Sequence, residues 1–108
     1  GKVVRAYLGV RYQIITPDLK ETLKLSVEDG AILTGDDKNP AVAPKSPAAA
    51  AGLRKGDIIT QIEGIEITAD RPLAAALGKY QPNTEIQLTI LRDGKEMAIK
   101  VKLGSVQE

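Results

Sequence analysis

The chain has 108 residues, enough for one ordinary domain and too few for two comfortable cores. Lys plus Arg number 15 against 14 Asp plus Glu, and neither half concentrates either sign, so a basic footprint for nucleic acid or an anionic membrane is missing. Cysteine and histidine are both absent, which excludes disulfide scaffolds, thiolate metal sites, Cys nucleophiles and Ser-His-Asp catalysis within these residues.

Phe and Trp are absent too, so the core must be built from Ile, Leu and Val, a composition that favours strands and tight aliphatic packing. No apolar run approaches the ~20 residues that span a bilayer. Gly1-Lys2-Val3-Val4-Arg5 lacks the apolar stretch of a secretory leader, and the chain reads as a soluble domain.

Residues 6–15 carry Leu8, Val10, Tyr12 and Ile14 at period two and predict one strand. Thr16-Pro17 then offers a capping hydroxyl and a proline for a first helical position. A short helix with Leu19, Leu23 and Leu25 on its apolar side is expected to end near residue 25. Asp29-Gly30 signals a turn, residues 31–34 a brief strand, and residues 35–45 a loop rich in Pro, Asp and Asn. In that loop Asp36, Asp37 and Asn39 lack the ordered spacing and distal Glu of a calcium loop, so a solvated loop without metal is expected.

Ser46-Pro47 repeats the cap-plus-proline arrangement before the helix-forming run at 48–51, and Gly52 supplies a left-handed C-cap. Gly56-Asp57 turns the chain into a buried strand at 58–62, followed by a short one at 65–67. Thr68 or Asp70 caps a helix over 71–79, where Leu73, Ala76, Leu77 and Tyr80 recur at helical spacing. Ile86, Leu88 and Ile90 alternate with polar residues. Asp93-Gly94 makes a two-residue hairpin, and Met97, Ile99, Val101 and Leu103 alternate in turn. The elements sum to a mainly β domain: about six strands in a small, partly open antiparallel barrel with two or three helices at its ends. Neither a βαβ repeat nor a fixed-period repeat is visible.

Two motifs carry chemistry of their own. In Leu8-Gly9-Val10 the glycine allows the backbone to bend so that successive N–H groups converge into a nest that binds an anion without a charged side chain. The strand after it offers a free edge that an extended peptide can join. Leu8 and Val10 also alternate as any strand residues do, and Leu73, Ala76 and Tyr80 read as core.

Four segments in sequence order resemble a known family. They are Tyr7-Leu8-Gly9-Val10; Ser46-Pro47-Ala48-Ala49-Ala50-Ala51-Gly52-Leu53-Arg54-Lys55-Gly56-Asp57-Ile58-Ile59; Ile62-Glu63-Gly64; and Leu91-Arg92-Asp93-Gly94-Lys95. Together they resemble a PDZ domain of the bacterial HtrA/Deg type, the module that follows a trypsin-like serine protease domain. The resemblance implies a PDZ-like fold over residues 5–104, with residues 105–108 a frayed tail. It implies a loop at Tyr7, Leu8, Gly9 and Val10 that holds a peptide's C-terminal carboxylate, helped by Arg5 unless that side chain is simply solvated. The implied groove is formed by Arg11 and Tyr12 on the strand and by Asp70, Ala74 and Leu77 along the helix. Leu8, Val10, Ala74 and Leu77 would wall an apolar pocket for the last side chain. Domains of this family that read Ser or Thr two residues before the peptide end carry a histidine at the start of the helix; that place falls near Asp70 here.

The function this implies is capture of C-terminal tails of unfolded or substrate proteins by a non-catalytic module. An attached trypsin-like protease, a periplasmic or envelope location, no cofactor, no nucleic acid and no membrane insertion go with it. A second reading keeps the fold and fills the groove with a neighbouring domain, making it an assembly element. An autonomous enzyme is the poorest fit, with scattered carboxylates and no His or Cys.

Overall fold

The structure is a computed structural model that describes residues 4–36 and 38–107, with residues 4, 5, 106 and 107 described by their backbone alone. Its elements run β1 (Val4–Tyr7), β2 (Tyr12–Ile14), α1 (Pro17–Leu23), β3 (Ala31–Leu33), α2 (Pro47–Ala51), β4 (Ile58–Ile62), β5 (Ile65–Glu66), α3 (Leu73–Leu77), β6 (Glu85–Arg92), β7 (Lys95–Lys102) and β8 (Gly104–Gln107). All pairings are antiparallel. One sheet follows the order β2-β3-β4-β6-β7 with β5 on β4, and β1 pairs with β8 in a separate two-stranded sheet.

The β6–β7 hairpin forms as its sequence dictates. Asp93 and Gly94 both take positive φ, 54° and 78°, which matches the twist of the flanking strands, and the register runs unbroken from Arg92↔Lys95 to Glu85↔Lys102. Ile86, Leu88 and Ile90 are fully buried, while on β7 only Val101 is. Ile99 is half-buried and Met97 is exposed, so the predicted apolar face of β7 fades toward the hairpin tip, which runs beyond the core.

Several expectations are corrected. The predicted strand at 6–15 is two strands, because Gly9 at φ +87° bends the chain between them. The described residues form eight strands where about six were expected, while the open antiparallel sheets and three short helices keep to the expected mainly β architecture. The tail predicted to fray after Gly104 is β8, whose backbone ladder with β1 runs from Tyr7↔Gly104 to Val4↔Gln107. The helix expected over 71–79 is confined to α3, and neither Thr68 nor Asp70 caps it. Pro72 restricts the residue before it to extended conformations and itself sits at the N-cap with ψ 163°, so helix begins only at Leu73. The Thr68 hydroxyl instead accepts from Arg71 N–H at 3.1 Å, closing the turn ahead of the helix.

Two cores hold these elements. The larger gathers Leu33, Ile59, Ile62, Leu73, Leu88 and Leu103, among others, between the sheet and helices α2 and α3. The smaller is Ile15, Ile32 and Ile58, covered by Leu19, Leu25, Val27 and Leu91. Thus α1 contributes Leu19 to the smaller core while Leu23 stays exposed. Both other predicted caps are present: Thr16 Oγ1 accepts from Leu19 N–H and Ser46 Oγ from Ala49 N–H, each at 3.1 Å. Gly52 closes α2 in the left-handed region.

Candidate functional site

A groove of about 930 Å³ runs between the edge strand β2 and helix α3, with the Leu8–Arg11 turn at one end. Its free edge follows from the hydrogen-bond alternation of antiparallel pairing. Arg11 N–H donates to Ala41 O at 2.8 Å, Gly9 O accepts from Ala43 N–H at 2.9 Å, Arg11 O accepts from Thr34 N–H at 3.0 Å, and Ile15 N–H donates to Gly30 O at 2.9 Å. Odd-numbered backbone groups therefore point inward, and those of Val10, Tyr12 and Ile14 point out of the sheet toward the groove. Val10 pairs with Val42 in an isolated bridge that fixes this orientation.

The Leu8–Val10 turn is anchored from behind. Leu8 O accepts from Ala48 N–H at 2.9 Å, at the start of α2, while the N–H groups of Leu8, Gly9 and Val10 donate to no carbonyl among the described residues. These three consecutive donors lie at a bend of positive φ at Gly9, the kind of backbone that can form an anion nest. Gly9 also packs against Ser46, whose hydroxyl donates to Ala43 O at 2.6 Å and so ties α2 to the loop beside the turn.

Of the residues expected at the site, Tyr7, Leu8, Gly9, Val10, Arg11, Tyr12, Ala74 and Leu77 all line this one groove. Leu8 does so only marginally, since its side chain is 2% exposed and belongs to the core. Ala74 is exposed and Leu77 half-buried, as groove walls need to be. Asp70 is exposed on the turn before α3 and is not part of the lining, because the helix starts three residues later. The Arg5 side chain lies outside the described residues.

Sequence reasoning missed Tyr80 and the loop. Tyr80 packs half-buried against the core that holds Leu73 and Ala76, as expected, and lines the groove as well. Asn39, Pro40 and Ala43 form a wall, so the segment at 35–45 is more than a solvated connection. The Val10–Val42 bridge puts it there, a pairing with no periodic signal in a loop of mixed composition.

Asp36 shapes this wall. Its Oδ1 accepts from Lys38 N–H at 2.8 Å and Asn39 N–H at 2.7 Å, and these bonds, Lys38's first, hold the carboxyl below its ordinary 3.8. Asp37 lies outside the described residues. A lowered folded pKa means that the loop's anchoring is complete above the ordinary value and is lost as pH falls through the lowered one. The amide signals of Lys38 and Asn39 are accordingly expected to titrate with a midpoint below 3.8; a midpoint at or above 3.8 would contradict the anchoring.

Among the described residues no group of three or more His, Cys, Asp or Glu could hold a metal ion, and no helix is long and apolar enough to cross a membrane. The groove combines backbone donors, a free strand edge and an apolar wall.

Comparison with known proteins identifies the family. The profile of the PDZ domain family matches residues 6–103. The chain is 36% identical over 108 residues to a probable periplasmic serine endoprotease, DegP-like, of Bartonella henselae, covering all of this chain and 20% of that protein. It is 37% identical over 103 residues to a probable periplasmic serine protease, do/HhoA-like, of Haemophilus influenzae, covering 95% of this chain and 21% of that one. The chain thus spans about a fifth of the length of these relatives. Among solved structures, the HtrA-type protease AlgW with a decapeptide superposes with a TM-score of 0.79 at 30% identity, over 96% of this chain and 30% of that one. The HtrA3 PDZ domain bound to the phage-derived ligand FGRWV shares the fold, with a TM-score of 0.78 at 24% identity over 99% of this chain and 92% of its own. Groove, nest and match together make this chain a member of the PDZ domain family, similar to the PDZ domains of HtrA-type and DegP-like proteases.

Proposed function

We propose that the chain captures the C-terminal ends of polypeptides, laying the last residues antiparallel to β2 and holding the terminal carboxylate on the N–H groups of Leu8, Gly9 and Val10. The observation that carries the reading is the pairing of those three unengaged donors with a free strand edge that begins at Val10. Antiparallel addition seats the last residue opposite Val10, and its side chain shares that residue's face. There it meets Leu77 and Tyr80, so the pocket takes an apolar terminal side chain.

The likeness to DegP-like endoproteases supports a place beside a trypsin-like protease domain in the periplasm, where the module delivers or senses tails of substrate or unfolded proteins. Catalysis belongs to that other domain, since these residues supply neither a His nor a Cys.

The pentapeptide FGRWV serves as a probe. Leu77→Lys places a charge in the terminal pocket from a half-buried position on α3. It is expected to weaken FGRWV binding about tenfold, through loss of one apolar contact, with little effect on thermal stability. Unchanged affinity in a folded variant would remove Leu77 from the pocket.

A further inference from the structure

Helix α3 lacks a cap of its own. It has five residues, and its N-cap is Pro72, which offers no side-chain bond. The missing acceptor comes from the opposite side of the groove: Ala74 N–H donates to the Tyr12 hydroxyl oxygen at 2.8 Å, a bond between residues 62 positions apart. The Tyr12 ring thus reaches from the groove strand to the groove helix, and both residues line the cavity.

A phenol has one hydrogen to donate besides its acceptor lone pairs. The bond from Ala74 uses the oxygen as acceptor and so fixes where the ring stands, and among the described residues no acceptor takes the phenolic hydrogen. An oriented donor is therefore left in the groove. Its level along the groove is set by the strand register. If the last peptide residue faces Val10, the residue facing Tyr12 is the third from the end, and directly opposed side chains in an antiparallel pair share a face.

The geometry points to Tyr12 as a specificity-determining residue whose hydroxyl, positioned by Ala74, donates to a short oxygen-bearing side chain on the third-from-last residue of the bound peptide. This rests on the peptide-capture reading above. The hydroxyl supplies from β2 the donor that α3 itself does not offer, since Asp70 stands off the groove. Serine, threonine, asparagine or aspartate there would engage it, and alanine would leave it unpartnered.

The experiment titrates the 108-residue protein and its Tyr12→Phe variant with FGSWV and FGAWV, following both affinities and backbone shifts by NMR. The unaltered protein is expected to prefer FGSWV by about three- to tenfold, the effect of one neutral hydrogen bond. In Tyr12→Phe the ratio should fall to about one, whatever uniform loss follows from uncapping α3. The wild-type ratio needs no variant to fold, so equal affinity for the two peptides overturns the inference by itself. A preference that survives in Tyr12→Phe also overturns it. So does a uniform gain for both peptides, which would identify the Tyr12–Ala74 bond as a bar across the groove. Failure to bind either peptide at millimolar concentration would instead take down the peptide-capture reading, and this inference with it.

Discussion

Gly9→Ala is expected to reduce capture of FGRWV about a hundredfold, the largest effect of any single substitution in the groove. The backbone at Gly9 has φ +87°, where an L side chain is strained by about 1–3 kcal/mol. Space adds to the strain. A Cβ there would overlap the Ser46 Cβ, and would lie 2.8 Å from Ser46 Oγ and 3.1 Å from the Tyr7 hydroxyl. Ser46 cannot easily withdraw, because its hydroxyl caps α2 and bonds to Ala43 O. The turn must therefore rotate, and the N–H groups that converge on the carboxylate separate. Loss of two charge-assisted hydrogen bonds at about 1.5 kcal/mol each gives the hundredfold figure. Affinity titration together with a thermal melt checks it; a variant of unchanged melting temperature and affinity would show that the bend is not needed.

Asp57→Ala is expected to produce the largest loss of stability while leaving capture by the folded molecule unchanged. The carboxylate is almost fully buried and receives Arg54 N–H at 2.9 Å, Arg92 Nε–H at 2.9 Å and Arg92 Nη2–H at 2.7 Å. Arg92 Nη2 also donates to Gly52 O at 2.9 Å, so this side chain ties the end of β6 to the C-cap of α2. The hydrogen bonds it donates to Asp57 hold the guanidinium still more firmly charged. Removing the carboxylate strands that charge and an N–H beside the core. Breaking a buried pair costs about 3–5 kcal/mol; with the Arg92 side chain 20% exposed, a loss of about 2–4 kcal/mol is expected. Urea unfolding measures it directly. A change below about 0.5 kcal/mol, the range of a neutral surface substitution, would mean that the pair contributes only as a surface contact.

The contrast between Gly9 and Asp57 separates what makes the fold from what makes the site. Asp57 is no part of the groove lining, and the Gly56-Asp57 turn reads from sequence as a fold-maker. Its ion pair with Arg92, a residue 35 positions away, does not. The same limit governs the rest. The β6–β7 hairpin and the capped helix α2 were legible because their signals are local: strict alternation around Asp93-Gly94, and Ser46-Pro47 followed by Gly52. Strand β8 was not, because its partner β1 lies at the other end of the chain and a short polar tail carries no mark of that pairing.

Within the site, the turn proposed to hold the carboxylate has its sequence signal in one glycine between two apolar residues. Helical spacing could not decide which side of α3 faces the groove, and Tyr80 does both, packing against the larger core and lining the groove. Pro72 was visible in the sequence and could have placed the helix start correctly, since a residue before proline resists helix. The role of Tyr12 had no sequence signal beyond its place on the strand, because its bond to Ala74 exists only once β2 and α3 are brought together.

The central claim is that a peptide's terminal carboxylate is held by backbone N–H groups of the Leu8–Val10 turn. The most direct measurement is an NMR titration of the labelled protein with FGRWV as the free acid and as the C-terminal amide. The free acid should shift the amide signals of Leu8, Gly9 and Val10 together with those of β2 and α3. Amidation, which removes the anion, should weaken binding at least about tenfold. Equal affinity for the two forms, or shifts that bypass Leu8, Gly9 and Val10, would contradict it.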